Sequence, residues 1–166
     1  MYKLELARLE DLPACIEILS SGRSFQRQQG FVQWPDGFPK EETIRGDILS
    51  GNGYVLRQET SIAAYLYIGY DGDPCYSAID GTWLNDAPYA VIHRIAIGSD
   101  FRGKGFADVI FALAEEMCRN QGVQNLRIDT HAQNQRMQHI LEKNGYHRCG
   151  IVMQDNGPRL AYHKTF

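Results

Sequence analysis

The residues whose types and spacing most clearly indicate a chemical function form a short glycine-rich segment, Arg102-Gly-Lys-Gly105. A short strand pattern with Ile92, Ile95, Ala96 and Ile97 precedes it, and apolar residues at the spacing of one helix face follow, which predicts a loop between a strand and a helix. The first N–H groups of a helix lack intrahelical partners and lie at the positive end of its dipole. Two glycines allow close approach of a ligand, and the arginine and lysine add positive charge. The segment therefore predicts a phosphate-binding loop.

Two common phosphate-binding patterns do not fit this segment. A Walker loop requires Ser or Thr after Gly-Lys, where this chain has Gly105. A dinucleotide-binding fingerprint requires a third glycine, and Asp108 stands at that position. An ordinary turn between a strand and a helix remains the alternative interpretation of the pattern alone.

Strands and helices alternate along the chain to position this loop. Hydrophobic periodicity and turn residues predict the order β-α-α-β-β-β-α-β-α-β-β, an α/β chain with a mixed sheet of about seven strands and four helices. The strand at 124–129 must run parallel to the strand before the loop, because a helix connects them. The segment from Asp71 to Pro88 has loop composition, so it is predicted to be a functional flap or to contain a short element.

Length and composition limit the classes of protein that fit. The 166 residues, 43% hydrophobic and 22% charged, predict a single globular domain covering 1–166. No apolar run reaches the ~20 residues that span a bilayer, and no signal-peptide pattern is present, so a cytoplasmic location without membrane contact is expected. A net charge of −3 predicts no nucleic-acid partner. The four cysteines lack metal-ligand spacing, so no metal is expected.

Two motifs in the second half of the chain occur in a characteristic order. Arg102-x-x-Gly105-x-Ala107 resembles Gln/Arg-x-x-Gly-x-Gly/Ala, the pyrophosphate loop of the GNAT superfamily of N-acetyltransferases. Asn134-Gln-Arg-Met-Gln-His-Ile-Leu141-Glu-Lys-Asn-Gly145-Tyr146 is similar to the superfamily's Asn-x-x-Ala-x-x-Leu-Tyr-Glu-Lys-x-Gly-Phe. The predicted order of elements is also that of the superfamily. The chain is thus identified as a member with the GNAT acyl-CoA N-acyltransferase fold, and it resembles one bacterial branch.

The resemblance implies acetyl-coenzyme A as cosubstrate. Its pantetheine arm would pair with the backbone of Ile95, Ala96 and Ile97, where the central strands splay apart. Asn134 would contact the cofactor, as its family counterpart often does, or would cap its own helix. The backbone N–H groups that would hold the pyrophosphate belong to Arg102, Gly103, Lys104, Gly105, Phe106 and Ala107.

Acetyl transfer from a thioester to an amine needs a neutral nucleophile and a donor for the oxyanion, here a backbone N–H near Ile97. Related enzymes place a base or a water-holding residue on the central strand. His93 is the predicted base, because imidazole titrates near neutrality. A histidine hydrogen-bonded in the core is the alternative. Strand alternation would place His93 on one face with Tyr89, Val91, Ile95 and Ile97.

The leaving thiolate also needs a proton, and here the sequence departs from the family. The tyrosine that protonates coenzyme A in many members falls at Leu141, which cannot donate. Tyr146 or another hydroxyl is the predicted replacement, with core packing as the alternative role of Tyr146. Protonation by solvent and weak catalysis are the remaining alternatives.

Four residues are predicted to line the acceptor site. Asp129 and His131 lie just past the end of a strand, where open α/β sheets place their ligands. Gln33 and Trp34 belong to an aromatic loop at 30–39, and an aromatic face could hold an ammonium group. Packing of this loop on the core is the alternative.

Three functions are compatible with these residues. The first is transfer of an acetyl group from acetyl-CoA to a primary amine of a small molecule, by direct attack in a ternary complex. The second is acetylation of a protein or peptide amine, which needs an open groove, whereas the aromatic loop and the 71–88 segment favour a closed pocket. The third is a catalytically silent CoA-binding module, which Leu141 suggests. A homodimer is compatible with each.

Overall fold

A computed structural model describes all 166 residues, and one eight-stranded mixed sheet forms its centre. The helices are α1 (Leu12–Gln28), α2 (Glu41–Leu49), α3 (Phe106–Asn120) and α4 (Gln135–Lys143). The strands are β1 (Lys3–Leu6), β2 (Gly53–Gln58), β3 (Ser61–Gly69), β4 (Asp80–Gly81), β5 (Ala90–Ile97), β6 (Asn125–Thr130), β7 (His147–Gln154) and β8 (Gly157–Thr165). Their order across the sheet is β1-β2-β3-β5-β6-β8-β7-β4. None of the helices combines the length and apolar character that crossing a bilayer requires.

The central strands β5 and β6 form the parallel pair of the sheet, and they part early. Their register contains only Ala90 opposite Leu126 and Val91 opposite Arg127. Both strands continue beyond this point, β5 to Ile97 against β3 and β6 against β8. The predicted splaying of the central strands is therefore confirmed. Beyond Val91, the edge of β5 that faces β6 has no strand partner.

A β-bulge in β5 changes which side chains share a face. Tyr67 pairs with His93 but Tyr65 pairs with Ala96, so β5 holds one extra residue, and Arg94 has a positive φ of 50°. Such a bulge reverses the alternation of side chains that follow it. Ile95 consequently packs on the core beneath α3, as Ile97 does, whereas Ala96 packs beneath α1. The prediction that His93 shares a face with Ile95 and Ile97 is wrong for this reason.

The helices cover both faces of the sheet. In α3, buried residues recur at the spacing of one helix face, from Ala107 through Ile110 and Ala114 to Cys118. Ile110, Ala114 and Cys118 join the largest core cluster together with Leu141 of α4. A second cluster lies beneath α1 and α2 on the opposite face. Because the two core clusters sandwich β5, its backbone is held in place where the strands part.

The segment between β3 and β5 contains the short elements that its length predicted. A 3-10 turn covers Pro74–Tyr76, and the two residues of β4 pair with β7 at the sheet edge. Tyr76 is fully buried, and the Trp83 indole N–H donates to its carbonyl at 2.9 Å. The 71–88 segment is therefore a packed cover over the sheet. The strand β4 is the one element beyond the seven predicted.

Candidate active site

A cavity of about 340 Å³ lies between α1, α4 and the loop before α3, beside the free edge of β5. Lys104 does not line the cavity, since its side chain is exposed to solvent. The predicted cofactor-binding residues that do line it are Ile95, Ala96, Ile97, Arg102, Gly103, Gly105, Phe106, Ala107 and Asn134.

The loop at 102–105 presents the start of α3 to this cavity. Gly103 and Gly105 have φ values of 73° and 80°, which favour glycine because a Cβ disfavours this region. A Cβ at either position would meet no atom within 4 Å, so open space lies in front of the loop. No side chain caps the α3 N-terminus. Its first N–H groups can therefore serve an anionic ligand.

Positive side chains surround the mouth of the same cavity. The Arg102 guanidinium donates to Ser21 Oγ at 2.8 Å and lies 4.3 Å from the centre of the Phe25 ring. Arg136 approaches the same ring at 5.4 Å. Burial and the charge of Arg136 lower the pKa of Arg102. Neither arginine has an acidic partner, so a phosphate would relieve their mutual repulsion.

Asn134 lies at the junction between this cavity and a second one. Its side-chain oxygen accepts the Met137 N–H at 3.1 Å, so it caps α4. Its amide nitrogen makes no hydrogen bond within the protein. Asn134 lines both cavities, which leaves this nitrogen available to a ligand.

The second cavity, of about 350 Å³, adjoins the first and has a more polar lining. It contains His93 and three of the four predicted acceptor residues, Gln33, Trp34 and Asp129. His131 does not line it, because its ring stacks on Phe31 with the centroids 5.4 Å apart. Side chains common to both cavities mark their junction: Gln26, Trp34, Ile95, Asn134 and Met137.

His93 is held by a hydrogen-bond network that the sequence did not indicate. Its Nε2 lies 2.9 Å from a carboxylate oxygen of Asp73, in the 71–88 segment. An ionised carboxylate can only accept, so we assign the proton to Nε2, which leaves Nδ1 as the basic nitrogen. Burial raises the pKa of Asp73, but hydrogen bonds from His93, the Cys75 N–H and Gln154 outweigh it and lower this pKa to about 2. Asp73 is thus a carboxylate at neutral pH.

The same network extends to Asp129. One carboxylate oxygen of Asp129 accepts the Tyr76 hydroxyl at 2.7 Å and the Gln154 amide at 3.1 Å. Gln154 also donates to Asp73 at 3.1 Å. Ligand atoms of Asp73, His93 and Asp129 all lie within 4.8 Å of one another, a spacing at which a metal could bind. The carboxylate oxygens of this cluster already accept hydrogen bonds from His93, Gln154 and Tyr76, so a cation would have to displace these donors.

The bulge residue next to His93 is anchored separately. The Arg94 guanidinium donates to both carboxylate oxygens of Asp47 in α2, at 2.9 and 2.7 Å. Asp47 also accepts the Tyr65 hydroxyl at 2.6 Å. This bidentate pair fixes the backbone at the bulge and thereby the direction of the His93 side chain.

Tyr146 is not brought to either cavity. Its side chain is buried in the main core, 3% exposed, and its hydroxyl donates to Glu115 at 3.4 Å. Burial first, and then the charge of Glu115, raise the pKa of Tyr146. The prediction that Tyr146 protonates the leaving thiolate is corrected by this position, and core packing is its role. No side chain lining the first cavity carries a hydroxyl, and Thr130 is the only one in the second.

The mixed sheet with its parted central strands matches the fold of solved acetyltransferases. The structure resembles a Listeria monocytogenes acetyltransferase of the GNAT family, with 19% identity, a TM-score of 0.78, and 99% of this chain and 95% of that one covered. It also resembles aminoglycoside acetyltransferase AAC(6')-Ib in complex with coenzyme A, at 20% identity, TM-score 0.72 and the same coverages. At these identities, both comparisons show similarity of fold alone.

Closer similarity establishes the family. An acetyltransferase of the GNAT family from Streptococcus agalactiae is 35% identical, with a TM-score of 0.92, covering 99% of this chain and 95% of that one. The family model for the acetyltransferase (GNAT) family matches residues 19–146. The chain therefore belongs to the GNAT acetyltransferase family. No curated protein matches the sequence.

Proposed function

We propose that the protein transfers an acetyl group from acetyl-CoA to a primary amine of a small molecule, by direct attack in a ternary complex. The observation that carries this proposal is the junction of the two cavities at the parting of β5 and β6. A donor held by the glycine loop in the first cavity would present its acyl end to the second. There it would lie beside His93.

The first cavity takes the donor. The diphosphate binds the N–H groups at the start of α3, and Arg102 and Arg136 supply positive charge at its mouth. The pantetheine arm pairs with the β5 edge that β6 leaves free, so backbone groups of Ile95 and Ile97 bind it. A backbone N–H near Ile97 stabilises the oxyanion. Coenzyme A in the complex of AAC(6')-Ib supports a donor of this type.

The second cavity takes the acceptor. His93 Nδ1 removes a proton from the attacking amine, directly or through one water, and Asp73 stabilises the imidazolium that forms. The thiolate of coenzyme A then takes its proton from solvent, because neither Leu141 nor Tyr146 offers a hydroxyl there. Gln33, Trp34 and Asp129 contact the acceptor.

A small acceptor fits better than a protein. The second cavity has a volume of about 350 Å³, and Trp34 of the loop at 30–39 lies between it and the first cavity, so the acceptor space is of limited volume. A peptide substrate would need an open groove. We further propose that residues 1–166 act as one domain, because all eight strands join one sheet.

The test is to incubate the protein with acetyl-CoA and a panel of amines while following free thiol, with mass spectrometry of the acetylated product. His93→Ala should lower kcat by about 10²- to 10⁴-fold, the usual contribution of a general base, and leave CoA binding unchanged. His147→Ala, an exposed histidine on β7, is the matched control. Thiol release at the wild-type rate by His93→Ala refutes the assigned base. CoA binding without thiol release from any amine favours the silent module.

A further inference from the structure

Arg159 is a buried cation that lines the second cavity. It lies at the start of β8 and is 4% exposed. Its Nη1 donates to the Pro158 carbonyl at 3.1 Å and its Nη2 to the Gln33 carbonyl at 3.2 Å. Both partners are neutral backbone groups, and no carboxylate lies within ion-pair distance. Its Nε–H makes no hydrogen bond, so donors remain unused.

An unpaired buried charge is costly, and Arg57, Arg94 and Arg127 reduce that cost with a carboxylate or an aromatic face. Arg57 pairs with Glu5 and Asp11, and Arg94 pairs with Asp47. Arg127 is as buried as Arg159, but it stacks on the rings of Trp83 and Tyr89 and lines neither cavity. Burial lowers the pKa of Arg159, and only the more distant Asp129 opposes this. Arg159 is therefore the one buried guanidinium left without a counter-charge or an aromatic face.

Two carboxylates line the cavity, those of Asp129 and Asp155, and Asp129 lies a short distance from Arg159 on the same face of the sheet. Asp129 pairs with Ala161, two residues from Arg159, so the side chains of Asp129 and Arg159 project to one face. Such diagonal neighbours on adjacent strands lie roughly 7–8 Å apart. Asp129 also belongs to the network around His93. The cavity therefore has the Arg159 cation at one end and His93 with the Asp129 carboxylate at the other. The distance between the two ends is about the length of a small molecule.

We propose that the acceptor is an amine that also carries a carboxylate, an amino-acid-like molecule whose carboxylate pairs with Arg159 while its amine faces His93 and Asp129. The inference rests on the proposed function and narrows its substrate class. A planar guanidinium held by two backbone carbonyls is preorganised for bidentate contact with a carboxylate. Binding then supplies a counter-charge to the one buried guanidinium that has neither a carboxylate nor an aromatic partner. Asp129 attracts the ammonium form, which loses its proton before attack.

The test compares amines that differ only in the carboxylate. L-Amino acids with small, apolar and polar side chains, β-alanine and γ-aminobutyrate are each assayed beside the corresponding carboxamide, with thiol release as the readout. The amine of a carboxamide is the less basic of each pair, so a preference for the acid cannot arise from a larger neutral fraction. At least one acid should exceed its amide in kcat/KM by about 10-fold or more.

Variants of Arg159 test whether its guanidinium causes the preference for the acid over the carboxamide. Arg159→Gln should lower kcat/KM for the acid by about 10- to 100-fold and change that for the amide by less than about twofold. Arg159→Lys, which keeps the charge but not the planar fork, should retain part of the preference. Arg148→Gln removes an exposed arginine of β7 that lines neither cavity, so it should match the wild type.

The outcomes separate the two proposals. If amines are acetylated but amides serve as well as acids, or Arg159→Gln lowers both equally, the carboxylate inference is overturned and the acetyltransferase function stands. If no amine releases thiol, both are overturned together. The comparison of acids with amides uses the wild-type protein, so it remains decisive even if Arg159→Gln fails to fold.

Discussion

Replacing Asp73 by Asn removes the carboxylate that His93 Nε2 contacts at 2.9 Å while keeping nearly the same shape. The variant should lose the charge that stabilises the imidazolium and the acceptor that fixes the proton on Nε2. We expect kcat to fall by about 10²-fold, within the range of general-base catalysis, and KM for acetyl-CoA to remain unchanged, because Asp73 does not line the donor cavity.

The same substitution should reduce stability in a pH-dependent way. The pKa of Asp73 is about 2 in the folded protein against an ordinary 3.8, because hydrogen bonds from His93, Cys75 and Gln154 outweigh the effect of burial. At about 1.4 kcal/mol for each tenfold change in proton affinity, the charged form stabilises the fold by about 2 kcal/mol. Because the folded pKa is depressed, this stabilisation is present above pH 4 and is lost as the pH falls toward 2.

Urea unfolding at several pH values and steady-state thiol release provide the two readouts. Asp73→Asn should unfold about 2 kcal/mol more easily than wild type near pH 7, and the difference should shrink below pH 4. Asp71→Asn, an exposed carboxylate in the same segment, should change neither readout. A wild-type kcat in Asp73→Asn, or a stability difference that is the same at every pH, would refute the assigned network.

Further predictions concern the loop, a buried histidine and the absence of metal. Gly105→Ala should cost ~1–2 kcal/mol of unfolding free energy in urea, because of the φ of 80°, and calorimetry should show CoA affinity falling as well, because the Cβ enters the open space before the loop. Burial lowers the pKa of His163 to about 4, so the fold should lose about 3 kcal/mol as the pH falls from 6.5 to 4, a dependence that unfolding curves of His163→Gln should lack. Prolonged dialysis against EDTA should leave kcat unchanged, because the oxygens near His93 already accept hydrogen bonds.

Local patterns predicted the scaffold of the proposed donor site. The apolar spacing after Gly105 predicted α3, and the motif from Asn134 to Tyr146 predicted α4 and its end. Both depend on residues a few positions apart, so the sequence contains the information directly. Asn134 illustrates the limit of this reasoning, since the structure shows it capping α4, one of the two roles predicted, while its place at the junction of the cavities depends on the fold.

Tertiary contacts determined what the sequence could not reveal. Arg94 adopts a positive φ beside a bidentate contact with Asp47, which lies 47 residues away, and no local signal marks a bulge there. The network that holds His93 draws on Asp129 and Gln154 of two strands and on Asp73 of the 71–88 segment, which only the tertiary fold brings together. The only sequence signal was the length of the 71–88 segment. It predicted a functional flap or a short element but did not identify Asp73.

The correction at Tyr146 has the same origin. The motif places a tyrosine one residue after Gly145, and sequence reasoning weighed proton donation against packing. The structure decides for packing because Glu115 and Phe111 of α3 meet this side chain in the core. A contact between α3 and the residue before β7 is not visible in the spacing of either motif.

Calorimetric titration of the purified protein with coenzyme A tests the central claim most directly, that the α3 N-terminus and the free edge of β5 hold the donor. The account predicts one site with a dissociation constant in the micromolar range, and binding of pantetheine, which lacks the diphosphate, weaker by about 100-fold or more. No binding at millimolar coenzyme A, or equal affinity for pantetheine, would contradict it.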